Sequence, residues 1–124
     1  MAPSTAEFPA IFTRLKTILE PHAPRLVVKT DTADTYYLDT AYIQKNKLPI
    51  FFGSVQVKKN YVSFYLFPVY VFPDLLDLVS PELRRRMQGK SCFNFTRLDE
   101  PLFDELTRLT QVGIDRFAQE GFIR

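Results

Sequence analysis

Two runs of alternating residues around a tight turn constrain this chain most. Residues 50–57 and 61–67 each read as a strand, and Lys58-Lys59-Asn60 joins them as a hairpin turn. In the second run Val62, Phe64 and Leu66 share one face, while Tyr61, Ser63 and Tyr65 share the other. The first set predicts core and the second a partly wet face. A half-buried sheet needs cover on one side, and the flanking segments supply it.

Phe8, Ile11, Phe12, Leu15, Ile18 and Leu19 recur at i, i+3, i+4 and i+7, which predicts an amphipathic first helix. Ser4 with Glu7 fits a capping box, whereas Pro9 favours a start nearer itself. Pro21 and Pro24 end the helix. Residues 26–30 predict a strand, 31–34 a turn, and 36–39 the return strand, with Tyr42 and Ile43 as its extension. Which of Tyr36 and Tyr37 faces outward is open, because a one-residue change of register reverses it. Pro73 opens a short helix over 74–79. Ser80-Pro81 restarts it as N-cap and first residue, and Gly89 ends it. Residues 91–96 predict a strand. Asp99-Glu100-Pro101 begins a last helix whose stripe is Leu102, Leu106, Leu109, Gly113 and Phe117, with Gly121 as its stop. Gly113 in the middle of that stripe predicts a close approach. The fold expected is α+β, with a two-layer, mainly antiparallel sheet of about five strands. Its N- and C-terminal helices lie on one face, and a single domain spans residues 1–124.

A chain of 124 residues can bury a real core as one domain. Its net charge of only +2 excludes a strongly basic protein, so nucleic acid is not expected as a partner from the overall field; such a role would have to rest on a local patch. The single cysteine allows no internal disulfide and favours a reducing compartment. The first seven residues lack a basic and an apolar signal region, and no apolar run approaches the ~18 residues of a membrane span. Residues 61–72 are broken by Ser63 and Pro68. The expected location is therefore the cytoplasm.

The segment from Arg84 to Phe95 gathers Arg84, Arg85, Arg86 and Lys90 around a glycine stop. On a helical wheel Leu83 and Met87 face inward, Arg84 and Arg86 flank them, and Arg85 points away. Arginine forks bind carboxylate or phosphate in pairs of hydrogen bonds, and lysine adds a point charge. The candidate ligand-binding set is Arg84, Arg86, Lys90, Ser91 and Lys58, with Tyr61 and Tyr65 on the adjoining sheet face. The plain alternative is a solvated helix end where cations suit the dipole. Gly89-Lys90-Ser91 is not a phosphate-binding P-loop: the upstream glycine is missing and a helix precedes it.

Other constellations point to structure. Cys92 in an aromatic strand reads as a small hydrophobe, and His22, the one histidine, lies in a proline-rich loop. Asp99, Glu100, Asp104 and Glu105 could hold iron or magnesium, but helix-dipole complementation with an Asp104–Arg108 pair is simpler. Asp31, Asp34 and Asp39 read as turn formers. One Cys and one His do not make a zinc site. No metal or cofactor is expected.

Three segments resemble the YdhG-like family, a bacterial domain of unknown function. They are Val28-Lys29-Thr30 with Tyr36-Tyr37-Leu38; Phe52-Gly53-Ser54-Val55 with residues 58–65; and residues 83–95, followed by Leu98 and Pro101. The resemblance implies a compact two-layer α/β domain. A frataxin-like iron-chaperone role is associated with part of that family. An acidic ridge is what such a role needs, whereas the first helix region offers Glu7 and Glu20 against Arg14 and Lys16. The leading expectation is a small non-enzymatic binding domain, taking an anionic small molecule or an acidic protein segment. Its site would lie where the tyrosine face meets the basic corner. The alternative is a frataxin-like iron carrier that uses surface carboxylates.

Overall fold

A short 3₁₀ turn, Thr5–Glu7, leads into helix α1, Phe8–Leu19, and all six apolar positions of the stripe are buried. The computed structural model describes residues 5–123. Ser4, half of the expected capping box, lies outside them; Glu7 is the N-cap and makes no side-chain capping bond. Pro9 sits in the first turn, where its missing N–H matters least. A proline-rich 3₁₀ segment, Glu20–Arg25, then turns the chain into the sheet.

Six strands follow: β1 Val27–Asp31, β2 Thr35–Ile43, β3 Pro49–Val57, β4 Val62–Leu66, β5 Met87–Gln88 and β6 Cys92–Phe95. They lie in the order β1-β2-β3-β4-β6-β5, with every neighbouring pair antiparallel. The central hairpin closes through Lys58 N–H to the Tyr61 carbonyl at 2.8 Å. Two bulges matter later. In β1, Lys29 is an extra residue between the Val28–Leu38 and Thr30–Tyr37 pairs. In β3, Phe52 is extra between the Gly53–Leu38 and Phe51–Asp39 pairs.

Helix α4, Glu100–Gln119, packs against α1, and α1 lies on β3 and β4. The helices therefore cover one face of the sheet. Phe12, Leu15, Leu106 and Leu109 are buried there with Val62, Phe64 and Phe93. Asp99 caps α4 by accepting from Leu102 N–H at 3.4 Å. Its end is a Schellman motif: Phe122 N–H reaches the Phe117 carbonyl, Gly121 N–H reaches the Ala118 carbonyl, and Gly121 has φ +84°. Gly53 is needed in β3 because an added Cβ would lie 3.0 Å from the Tyr65 carbonyl oxygen and 3.3 Å from Leu19 of α1.

Three local expectations change. A helix of one turn, α2 (Phe67–Val71), continues directly from β4 and takes in Phe67, which the sequence assigned to the end of the strand. A 3₁₀ segment, Pro73–Leu78, takes the place of the expected helix over 74–79. Helix α3 spans only Pro81–Arg84, with Ser80 as its N-cap accepting from Leu83 N–H at 3.1 Å. The chain then enters β5, so Gly89, at φ +77°, turns the β5–β6 hairpin and does not stop a helix. Met87 pairs with Phe93, and that pairing overrides the helical spacing from Leu83.

Among the described residues no helix is long and apolar enough to cross a membrane. The Thr110 hydroxyl is buried in the α4 stripe and, among the described residues, has no hydrogen-bond partner. An unpaired buried hydroxyl costs about 1–3 kcal/mol, and Val and Thr have similar helix propensities. Thr110→Val should therefore raise stability by about 1 kcal/mol or more in urea melts; a loss would show that the hydroxyl is satisfied in solution.

Candidate functional site

The face of the sheet away from the helices carries two transverse rows. Pairing aligns Thr35, Gln56, Ser63 and Asn94 in one row, and Tyr37, Ser54, Tyr65, Cys92 and Gln88 in the next. Tyr36 falls on the helix side, 3% exposed, so Tyr37 is the outward tyrosine. Ser63 is fully buried under its neighbours, not wet as its face suggested. Its hydroxyl donates to Asn94 Oδ1 at 2.7 Å, Cys92 Sγ donates to the same oxygen at 3.3 Å, and Asn94 Nδ2 donates to Gln88 Oε1 at 2.8 Å. Gln56 bonds Ser54 and accepts from Lys58 Nζ at 2.7 Å. Hydrogen bonds thus join β4, β6 and β5 into a polar floor, and a separate Ser54–Gln56–Lys58 chain lies along β3 beside it.

Beside it runs a ribbon of four rings. Tyr37 and Phe51 lie 4.6 Å apart between centroids, Phe51 and Phe67 5.8 Å, and Phe67 and Tyr70 5.3 Å, the last pair stacked. The bulge at Phe52 makes this possible. It turns Phe52 toward Phe117 on the helix side and leaves Phe51 next to Tyr37. Lys29 Nζ sits 5.2 Å from the Tyr37 ring and Lys90 Nζ 5.8 Å from the Tyr70 ring, so a lysine stands at each end. Asp39 is the acid that the register places on this face. Burial pushes its carboxyl above the usual range, and Lys29 opposes that shift.

At the β5 edge the ribbon meets a cleft of about 390 Å³. Val69, Pro73, Leu76 and Met87 make its apolar wall, and Tyr70, Arg84 and Lys90 its rim. Among the described residues neither Arg84 nor Lys90 forms an ion pair. A larger cleft of about 570 Å³ between the 3₁₀ segment and α4 carries both signs, with Asp77, Glu105 and Arg108. Its Glu105 is already engaged by Ser80 N–H at 2.7 Å. The Arg84–Lys90 cleft is the better site because its charge has a single sign and its cations are unpaired.

The expected set is therefore only partly assembled. Arg84 and Lys90 come together. Arg86 does not join them, because it alternates with the inward Met87 and falls toward the open face, its carbonyl accepting from Asn94 N–H. Ser91 holds the hairpin in place, its carbonyl accepting from Leu66 N–H at 2.9 Å. Lys58 and Tyr61 sit at the opposite end of β4, on the order of 13 Å away along the strand. Tyr65 lies in the middle of the open face beside Cys92. The sequence did not single out Tyr70, Phe51 or Phe67, whose roles depend on α2 and the β3 bulge.

The acids at the start of α4 are structural. Arg14 binds Glu100 at 2.9 Å and Asp104 at 3.5 Å, so the partner of Asp104 is Arg14 across to α1 and not Arg108. Among the described residues no three His, Cys, Asp or Glu side chains are grouped to hold a metal ion. Cys92 and His22 lie on opposite sides of the sheet order. The 3₁₀ segment carrying His22 contacts β1, and β2, β3 and β4 intervene before β6, roughly 19 Å at normal strand spacing. Burial pushes the Cys92 thiol up, and burial followed by Arg25 pushes the His22 imidazole down. A thiol held protonated and far from its candidate base is not an activated nucleophile.

No protein-family model, curated protein or solved structure matches the chain. Roles for its residues therefore rest on geometry.

Proposed function

We propose that this domain is a non-catalytic binding module whose Arg84–Lys90 cleft takes an anionic group attached to an apolar or aromatic body. One observation carries the reading. Two cations with no carboxylate partner among the described residues share a cleft of about 390 Å³ with a tyrosine ring and an aliphatic wall. Cations at a surface are ordinarily solvated singly; here their charges border apolar surface, where an anion's hydrogen bonds gain strength from partial desolvation. The apolar wall suits the rest of the ligand and disfavours a bare hydrated ion.

Phenyl phosphate is a suitable probe, followed by NMR shifts at Tyr70, Gly89 and Lys90. The wild type should show saturable shifts there. Charge-assisted bonds contribute about 1.5–3 kcal/mol each, so Arg84→Ala and Lys90→Ala should each weaken binding roughly tenfold or more, and the double variant should abolish it. Arg85, exposed at the end of α3 and outside the cleft lining, is the control. If Arg85→Ala weakens binding as much as Lys90→Ala, the effect is bulk charge and no shaped site exists.

A further inference from the structure

We infer that the open sheet face extends this cleft into a binding surface for single-stranded nucleic acid. A phosphate would sit at Arg84 and Lys90, and bases would stack along Tyr70, Phe67, Phe51 and Tyr37. The inference rests on the cleft reading and names its ligand. Nucleic acid requires two things at once, a path of positive charge and a row of flat apolar rings. The face has both. Its four rings run in unbroken sequence from α2 to β2, and Tyr70 keeps 51% of its surface exposed. Lys29 and Lys90 stand at the two ends of that row, and Lys58 lies along the same face through its bond to Gln56.

Charge is also divided between the two sides of the molecule. Helix α4, on the covered side, carries Glu100, Asp104, Glu105 and Asp115 against Arg108 and Arg116 and is therefore acidic on balance. A net charge of +2 therefore conceals a locally basic sheet face. The polar floor adds sequence-tolerant hydrogen bonding: the half-exposed Asn94 and the exposed Gln88 present amides, and Tyr65 a hydroxyl, at the level of the rings. An acidic peptide would use the cations but leave the rings without flat partners, so the ring row favours bases.

The test is fluorescence anisotropy of the full chain with a short labelled oligouridylate and its thymidylate counterpart at low salt. Binding of either, weakening steeply with added salt, is the expected result. Tyr70→Ala, at a position that keeps 51% of its surface exposed, should weaken binding about fivefold or more through the lost stacking. Lys29→Ala, at the far end of the ribbon, should weaken it and reduce the salt dependence, whereas Arg108→Ala on the helix side should leave it unchanged. Unchanged affinity in Tyr70→Ala would overturn the inference. So would displacement of the oligonucleotide by tripolyphosphate or polyglutamate at matched charge concentration. Binding of phenyl phosphate at the cleft without binding of either oligonucleotide would sink this inference and leave the cleft reading standing. Failure of phenyl phosphate and both oligonucleotides would remove both.

Discussion

Phe117→Ala should lower the unfolding free energy by about 3–5 kcal/mol, the largest loss expected from any single truncation considered. Phe117 is fully buried. Its ring meets Phe52 at 5.8 Å, Phe72 at 6.0 Å and Phe122 at 5.3 Å, all edge-on. Such edge contacts add to simple area burial. The position also ties three parts of the chain together: the β3 bulge, the segment after α2, and the closing turn of α4. Its carbonyl accepts the Phe122 N–H that seals that turn. Truncation would leave a cavity walled by three other rings. Phe122→Ala, at a half-buried position, should cost clearly less. Equal losses for the two variants in urea melts would show that burial at Phe117 is not what holds the end of α4.

Gly113→Leu should destabilise by about 3 kcal/mol, the upper end of the usual overpacking range. A Cβ at this position would lie 3.0 Å from Cγ and 3.1 Å from Cβ of Pro68. The close approach expected at Gly113 is real, but the neighbour is the proline ring of α2 and not the sheet. A proline ring cannot rotate aside, and Pro68 is itself buried, so α2 or α4 must move. Gly113→Ala should give no net gain, because roughly 1 kcal/mol of helix propensity is offset by the same contact. Combining Gly113→Ala with Pro68→Gly, which removes both contacting carbons, should then be more stable than the two single effects predict. Strict additivity, or a leucine variant as stable as the wild type, would contradict the contact.

These positions also show what a sequence can and cannot disclose. The stripes of α1 and α4, the Lys58-Lys59-Asn60 hairpin, the Ser80 cap and the Gly121 stop were readable because each depends on residues within a few positions of one another. The segment from Arg84 to Gly89 was not. Two residues of strand carry no measurable alternation, and a positive-φ glycine fits a helix end as well as a hairpin turn. The partner that settles it, Phe93, lies beyond that turn. Helix α2 was hidden because residues 67–71 continue the apolar run of β4, with Pro68 as the one local sign of change. Tyr37 and Phe51 became neighbours only through an extra residue in β3, which alternation counted along a single strand cannot reveal. The fold was therefore legible from local pattern. The cleft was half legible, as cations near a glycine, and its aromatic half depended on pairing.

The extra residue in β1 bears on how crowded molecules of this protein coexist. β1 is the outermost strand, and Val27 and Val28 keep 48% and 45% of their surface exposed. An uninterrupted strand of that kind is a template on which foreign strands add, the first step toward aggregation. Lys29 interrupts it twice over. Its bulge breaks the even spacing of backbone donors and acceptors, and its ammonium group, drawn over Tyr37, sets a charge beside the valines. An incoming strand could match the rhythm on one side of Lys29 or the other, but not on both. The lysine that caps the aromatic row thus also keeps the margin of the sheet from being copied.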